Sequence, residues 1–227
     1  MNDVDLLTQV LTQVAPLPKA TLARVLSAFQ PHTLRAEERL LVGGDICSRL
    51  SFVCRGLLMS QSTSSGREAS CDLFAEGDFA TDYVSFLTQG PSTVEIVAFE
   101  PCTLLSISKP ALQHLYDTVQ GVERLGRKIA EGRFVASVHR AGSLLTQSPT
   151  ERYRALGLTR PDLLQRVPQY LLARWLGVTP ESLSRLRGRI GRQRRTTSTV
   201  AVDPSKSKAP ASKSGGPKAP RAAREKP

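Results

Sequence analysis

The 227-residue sequence is short of the side chains that bind metals. It has three histidines, His32, His114 and His139, far apart, and four cysteines, at 47, 54, 71 and 102, none of them in a C-x-x-C pair. Zinc and iron–sulfur sites need tighter local spacing, so neither is expected, nor is any other cofactor. Cys54 and Cys71 fall in strand-like runs, where a buried thiol behaves as a small hydrophobe. Long uncharged apolar segments are also missing, which argues against a membrane-spanning helix. The Met1 end lacks a basic start followed by an apolar run, so no signal peptide is expected. The last two absences lead to the expectation of a cytosolic chain.

Charge is present but unevenly placed. The formal net charge is +11, yet residues 1–186 hold 19 basic and 18 acidic side chains, whereas residues 187–227 hold 12 and 2. The first part is nearly neutral and the second carries a net of +10. Basicity concentrated at one end suggests a polyanionic partner there.

Hydrophobic periodicity changes along the chain. Residues 3–29 read as helix, with Leu6, Leu7, Val10, Leu11 and Val14, a Pro16–Pro18 break, then Leu22, Val25, Leu26 and Phe29. From about 33 to 108 come short β-like runs such as "LSFVC", "GLLMSQS", "EASCDLF" and "TVEIVAF". They are separated by turn signals at Gly43-Gly44-Asp45, Arg55-Gly56, Ser64-Ser65-Gly66, Glu76-Gly77-Asp78 and Gly90-Pro91-Ser92. Many short strands at regular spacing imply a jelly-roll β-barrel. Residues from about 110 to 147 then read as one long helix with two apolar stripes. One holds Leu125, Ile129 and Ala136; the other holds Phe134, Val138, Ala141 and Leu145. Two stripes imply two partners, the chain's own barrel and a second copy of the helix. The first stripe is assigned to the dimer, with Gly132 permitting close approach. After Pro149 three short helices follow, and from Thr196 the Pro-, Ala-, Ser-, Lys- and Gly-rich sequence is expected to be disordered.

The segment "LARWLGVTPESLSRLR", residues 172–187, breaks a helix and restarts it within three residues. Leu172, Leu176, Val178, Leu183 and Leu186 supply the apolar positions. Ala173 is the small residue at the helix contact, Gly177 takes the turn, Thr179 caps the second helix, and Pro180 opens it. This is the pattern of a helix-turn-helix. The second helix leaves Glu181, Ser182, Ser184, Arg185, Arg187 and Arg189 outward. Glu181 and Arg185 stand four apart and could form a surface ion pair worth about 0.3–0.5 kcal/mol. Alternatively both face a DNA major groove, where arginine bonds guanine and a carboxylate accepts from cytosine. The adjacent basic run favours the second reading.

The order of parts, helix, β-roll, long helix and helix-turn-helix, resembles the Crp/Fnr family of bacterial transcription regulators over residues from about 5 to 190. Its most specific element is "GVTPESLSR", similar to the E-x-x-S-R recognition motif. The resemblance implies that Glu181, Ser184 and Arg185 read bases, and Thr179, Ser182, Arg187 and Arg189 are assigned to the DNA backbone. It implies an α+β chain. Residues 1–117 form an effector-type β-roll and 118–147 a dimerisation helix. A DNA-binding domain spans 148–195 and a basic tail 196–227. Double-stranded DNA and a second copy are the implied partners, with RNA polymerase a candidate and the small-molecule effector unidentified. In cyclic-AMP-binding members an arginine holds the phosphate and a glutamate the ribose. Here the corresponding stretches are read as Gly77-Asp78-Phe79 and Pro91-Ser92-Thr93, so Gly77, Asp78, Ser92 and Thr93 are the candidate effector residues. A buried phosphate without that arginine is poorly compensated, so cyclic AMP is not the expected effector. The iron–sulfur cysteines of the Fnr branch and the usual wing hairpin are also missing. Two alternatives are a cupin-like β-barrel enzyme with a basic tail and a nonspecific nucleic-acid-binding protein driven by that tail. The first would need clustered histidines, and residues 33–108 have none.

Overall fold

The computed structural model describes residues 2–62 and 72–199, without the side chains of 191 and 193–199. The expected turn at 64–66, Cys71 and residues 200–227 of the tail lie outside the described residues. Two units are distinguished, Met1–Leu186 and Arg187–Pro227.

The first unit opens with helices α1 (Asp3–Val14) and α2 (Lys19–Ser27). Among the described residues eight strands follow: β1 (Gln30–Leu34), β2 (Arg39–Leu41), β3 (Arg49–Arg55), β4 (Leu58–Ser62), β5 (Asp72–Phe74), β6 (Phe79–Ala80), β7 (Val94–Ala98) and β8 (Cys102–Ser108). They form two antiparallel four-stranded sheets, in the orders β1-β8-β3-β6 and β2-β7-β4-β5. Between β6 and β7 lies the short helix α3 (Tyr83–Thr88).

The run "LSFVC" has no polar alternation because both sides of β3 are covered. Phe52 meets Phe79 edge-on, with ring centroids 5.2 Å apart, while α1 packs on β3 with Leu7 and Leu11 fully buried. The polar pair within this core is satisfied across the strands, Ser51 Oγ lying 2.8 Å from Ser106 Oγ. Cys47, Cys54 and Cys102 are buried, and burial pushes the Cys54 and Cys102 thiols up to about 11.

The expected single helix from 110 to 147 is two helices, α4 (Lys109–Thr118) and α5 (Val122–Thr146). Val119 is extended and Gly121 takes φ +86°, so an α-helix cannot run through. The first α5 stripe, expected at a dimer contact, faces the chain's own core. Leu125 is buried in the chain's own core with Val122, and Ile129 packs against it, because α1 and α4 lie on that side. Ala136 is exposed. The stripe left without cover is the other one, with Phe134 69%, Val138 54% and Leu145 87% exposed.

Helices α6 (Pro149–Thr159), α7 (Pro161–Arg166) and α8 (Gln169–Leu176) then build a second core. Leu156, Leu163, Val167, Leu171, Leu172 and Leu176 close on Leu57, Met59 and Ala75, on the outer side of the β4 sheet. The last helix, α9, spans Pro180–Thr199, so Thr196 to Thr199, expected as the start of the tail, are helical. Among the described residues no helix is long and apolar enough to cross a membrane.

Candidate nucleic-acid interface

The turn between α8 and α9 is fixed by backbone bonds and by one glycine. Gly177 sits at φ +67°, ψ +41°, and its N–H donates to the Arg174 carbonyl at 3.0 Å. The Val178 N–H returns to the Ala173 carbonyl at 2.9 Å, closing a Schellman-type end. A Cβ on Gly177 would lie 3.0 Å from Leu144 Cδ2, so a larger residue would meet both strain and contact. Thr179 Oγ1 accepts the Ser182 N–H at 3.3 Å, capping α9.

The inner side of this pair is fully buried at Leu172, Ala173, Leu176 and Leu183, and Leu186 is nearly so. Thr179, Glu181, Ser182, Ser184 and Arg185 are all exposed. Glu181 and Arg185 form no ion pair within 4 Å among the described residues. The Glu181 carboxyl is held below the ordinary value by its own backbone N–H and the Thr179 hydroxyl, with the Arg185 charge adding to them. The acid therefore stays ionised at neutral pH, and Arg185 has no ion-pair partner among the described residues. In the second unit, Arg187 and Arg189 are exposed.

Three arginines that sequence patterns did not single out hold this region. Arg152 is 8% exposed and, among the described residues, donates to three carbonyls. Its Nε donates to Leu176 at 2.9 Å and its Nη1 to Ser143 at 3.2 Å and to Gln147. Those carbonyls end α5 and α8, where unpaired acceptors and the helix dipole favour a cation. Arg140 donates from Nη2 to the Trp175 carbonyl at 2.7 Å and stacks 4.2 Å from the Trp175 ring centroid. Arg166 of α7 forks onto Glu76 at 2.8 and 3.1 Å and also reaches Glu100.

The candidate effector residues make two different sets of hydrogen bonds. Gly77 and Asp78 form the turn before β6, and the Asp78 carboxylate accepts from the Ala75 N–H at 2.9 Å and from Arg160 at 3.2 Å. It is thus spent on a turn and on the C-terminal helices. The carboxylate beside Ser92 is that of Asp82, whose Oδ2 lies 2.7 Å from Ser92 Oγ and whose Oδ1 caps α3. Thr93 is exposed. The signal for Asp82 was its place as the capping residue before "YVSFLT".

The ion pairs between α7 and the β-roll predict a pH dependence. Burial is the largest single influence on the Glu76 carboxyl and raises it. The bonds from Arg166, from the Gly56 N–H and from its own backbone N–H, with the Arg166 charge, together outweigh burial, and the carboxyl ends below the ordinary glutamate value. A carboxyl depressed in the folded state contributes stability above the unfolded value of about 4.3, and that contribution is lost as pH falls through the folded value. Wild type should therefore lose more stability between about pH 5 and pH 3 than Arg166→Met. Denaturation midpoints measured across that range check this; parallel curves would contradict it.

Residues 31–119 match the family described as cyclic nucleotide-binding domain. No curated protein matches the chain. Among solved structures, CLP of Xanthomonas campestris is described as a c-di-GMP responsive global regulator linking cell–cell signalling to virulence gene expression. It is 20% identical over 78% of this chain and 93% of its own, with a TM-score of 0.59. FixK2 from Bradyrhizobium japonicum is 17% identical over 73% and 85%, with a TM-score of 0.61. The catabolite activator protein of Thermus thermophilus is 19% identical over 81% and 87%, with a TM-score of 0.50. At these identities the likeness is one of fold. Residues 31–119 are thus similar to a cyclic nucleotide-binding domain, and the fold is shared with CLP, FixK2 and the catabolite activator protein.

Proposed function

We propose that this protein is a homodimeric, cytosolic transcription regulator and not an enzyme, with α8 and α9 as a helix-turn-helix that reads a palindromic DNA operator. The observation that carries the reading is the two-sidedness of α9. Leu183 and Leu186 are locked inside, and Glu181, Ser184 and Arg185 stand together outside near the helix start. In a groove, Arg185 bonds a guanine and Glu181 accepts from a neighbouring amino group, with Ser184 between them. Thr179, Ser182, Arg187 and Arg189 contact phosphates. The basic residues beyond them add salt-dependent, sequence-blind affinity. The similarity in fold to CLP, a global regulator of gene expression, supports the reading. The second copy is met through the uncovered α5 stripe at Phe134 and Val138, since Leu125 and Ile129 are already used. The effector is not cyclic AMP: Pro91 brings no cation, and Asp82 sets a carboxylate beside Ser92. RNA polymerase is a further partner in this reading.

Selection of bound sites from random DNA tests the proposal. Arg185→Ala should cost about 1–3 kcal/mol on the selected operator and relax preference at one position per half-site. Equal loss on every single-base variant would assign Arg185 to the backbone instead.

A further inference from the structure

The junction of α3, α4 and α5 with the β-roll encloses a cavity of about 80 Å³. Phe79, Phe86, Leu112, Leu125 and Ile129 are among its walls, and Tyr83 and Tyr116 bring the only hydroxyls among the lining side chains. No acid or base lines it. The Tyr83 hydroxyl is buried and has no hydrogen-bond partner among the described residues. Burial pushes this phenol up to about 12, with Arg133 partly opposing, so at neutral pH it is a proton donor with nothing to donate to. Interiors are normally packed to crystal density and buried polar groups are normally paired, so an apolar hollow and an unpaired donor in one place are a double exception. Leu87, 63% exposed, also lines the cavity and so joins it to the surface at the end of α3.

We propose that this cavity binds a small, uncharged, largely apolar molecule with one hydrogen-bond acceptor, of the kind a short or cyclic ketone presents, and that Tyr83 donates to that acceptor. A charged ligand is excluded by the lack of any counter-charge in the lining. The site is separate from Asp82 and Ser92, and it does not depend on DNA binding. Its lining draws on five helices, α1 to α5, including the inner stripe of α5.

The test titrates the full chain, with methyl-labelled Leu and Ile, with cyclopentanone and with cyclopentane, which lacks the acceptor. Saturable shifts at Leu112, Leu125 and Ile129 are expected for both, with cyclopentanone the tighter. Tyr83→Phe should weaken cyclopentanone about threefold to tenfold and leave cyclopentane unchanged. Leu112→Phe should fill the space and abolish both; if it fails to fold, Val25→Ile, one methylene larger on the α2 wall of the cavity, should weaken both. Absence of saturable shifts, equal affinity for the two probes, or a Tyr83→Phe variant that binds cyclopentanone unchanged would each overturn the proposal.

Discussion

Arg152→Met is expected to destabilise the protein by roughly 2–4 kcal/mol, the largest effect of any single polar substitution in the C-terminal helices. Methionine can fill much of the space but leaves the carbonyls of Ser143, Gln147 and Leu176 without their shared donor. Hydrogen bonds from a charged donor contribute about 1.5–3 kcal/mol, and the buried Leu176 carbonyl, deprived of the Arg152 donor, adds to the loss. Arg152→Lys should rescue little, because a single ammonium lacks the planar fork that reaches two helix ends at once. Chemical denaturation of the three proteins checks this. A midpoint for Arg152→Met within error of wild type would mean that these carbonyls find other donors.

Phe134→Glu combined with Val138→Glu is expected to give a folded monomer. Both side chains are exposed on the uncovered stripe of α5, so the chain's own core should not notice their loss. A monomer places one recognition helix on one half-site and forfeits the joint binding of two, a loss on the order of a hundredfold or more in operator affinity. Light scattering with operator titration reads both effects. Ile129→Glu is the contrasting control. It places a carboxylate against the apolar core and should impair folding before it affects association. A double variant that stays dimeric would remove the Phe134 stripe from the interface.

What could be read from the sequence was what is local. The turn at Gly177 was legible because capping threonine, proline, glycine and the apolar positions lie within sixteen residues, and each is required by backbone geometry. The two α5 stripes were legible for the same reason, as periodicity. Their assignment was not, since which side meets the core depends on where α1 lies, more than a hundred residues earlier. The same limit hid Arg160 and Arg166. Their partners Asp78 and Glu76 are 82 and 90 positions away, and a single arginine on a short helix carries no periodic mark. Asp78 illustrates the converse. Its neighbours Gly77 and Phe79 suggested a ligand site, but the carboxylate is consumed by a turn and a distant arginine, and Asp82 stands beside Ser92 instead.

Trp175 is the only tryptophan in the sequence, and it lies under the Arg140 guanidinium with its carbonyl tied to the same side chain. The chain therefore carries one intrinsic fluorophore, placed where α5 holds the end of α8. Emission excited in the tryptophan band comes from that joint alone. Its colour and intensity become a label-free gauge of whether the C-terminal helices stay seated when DNA, a small molecule or acid is added.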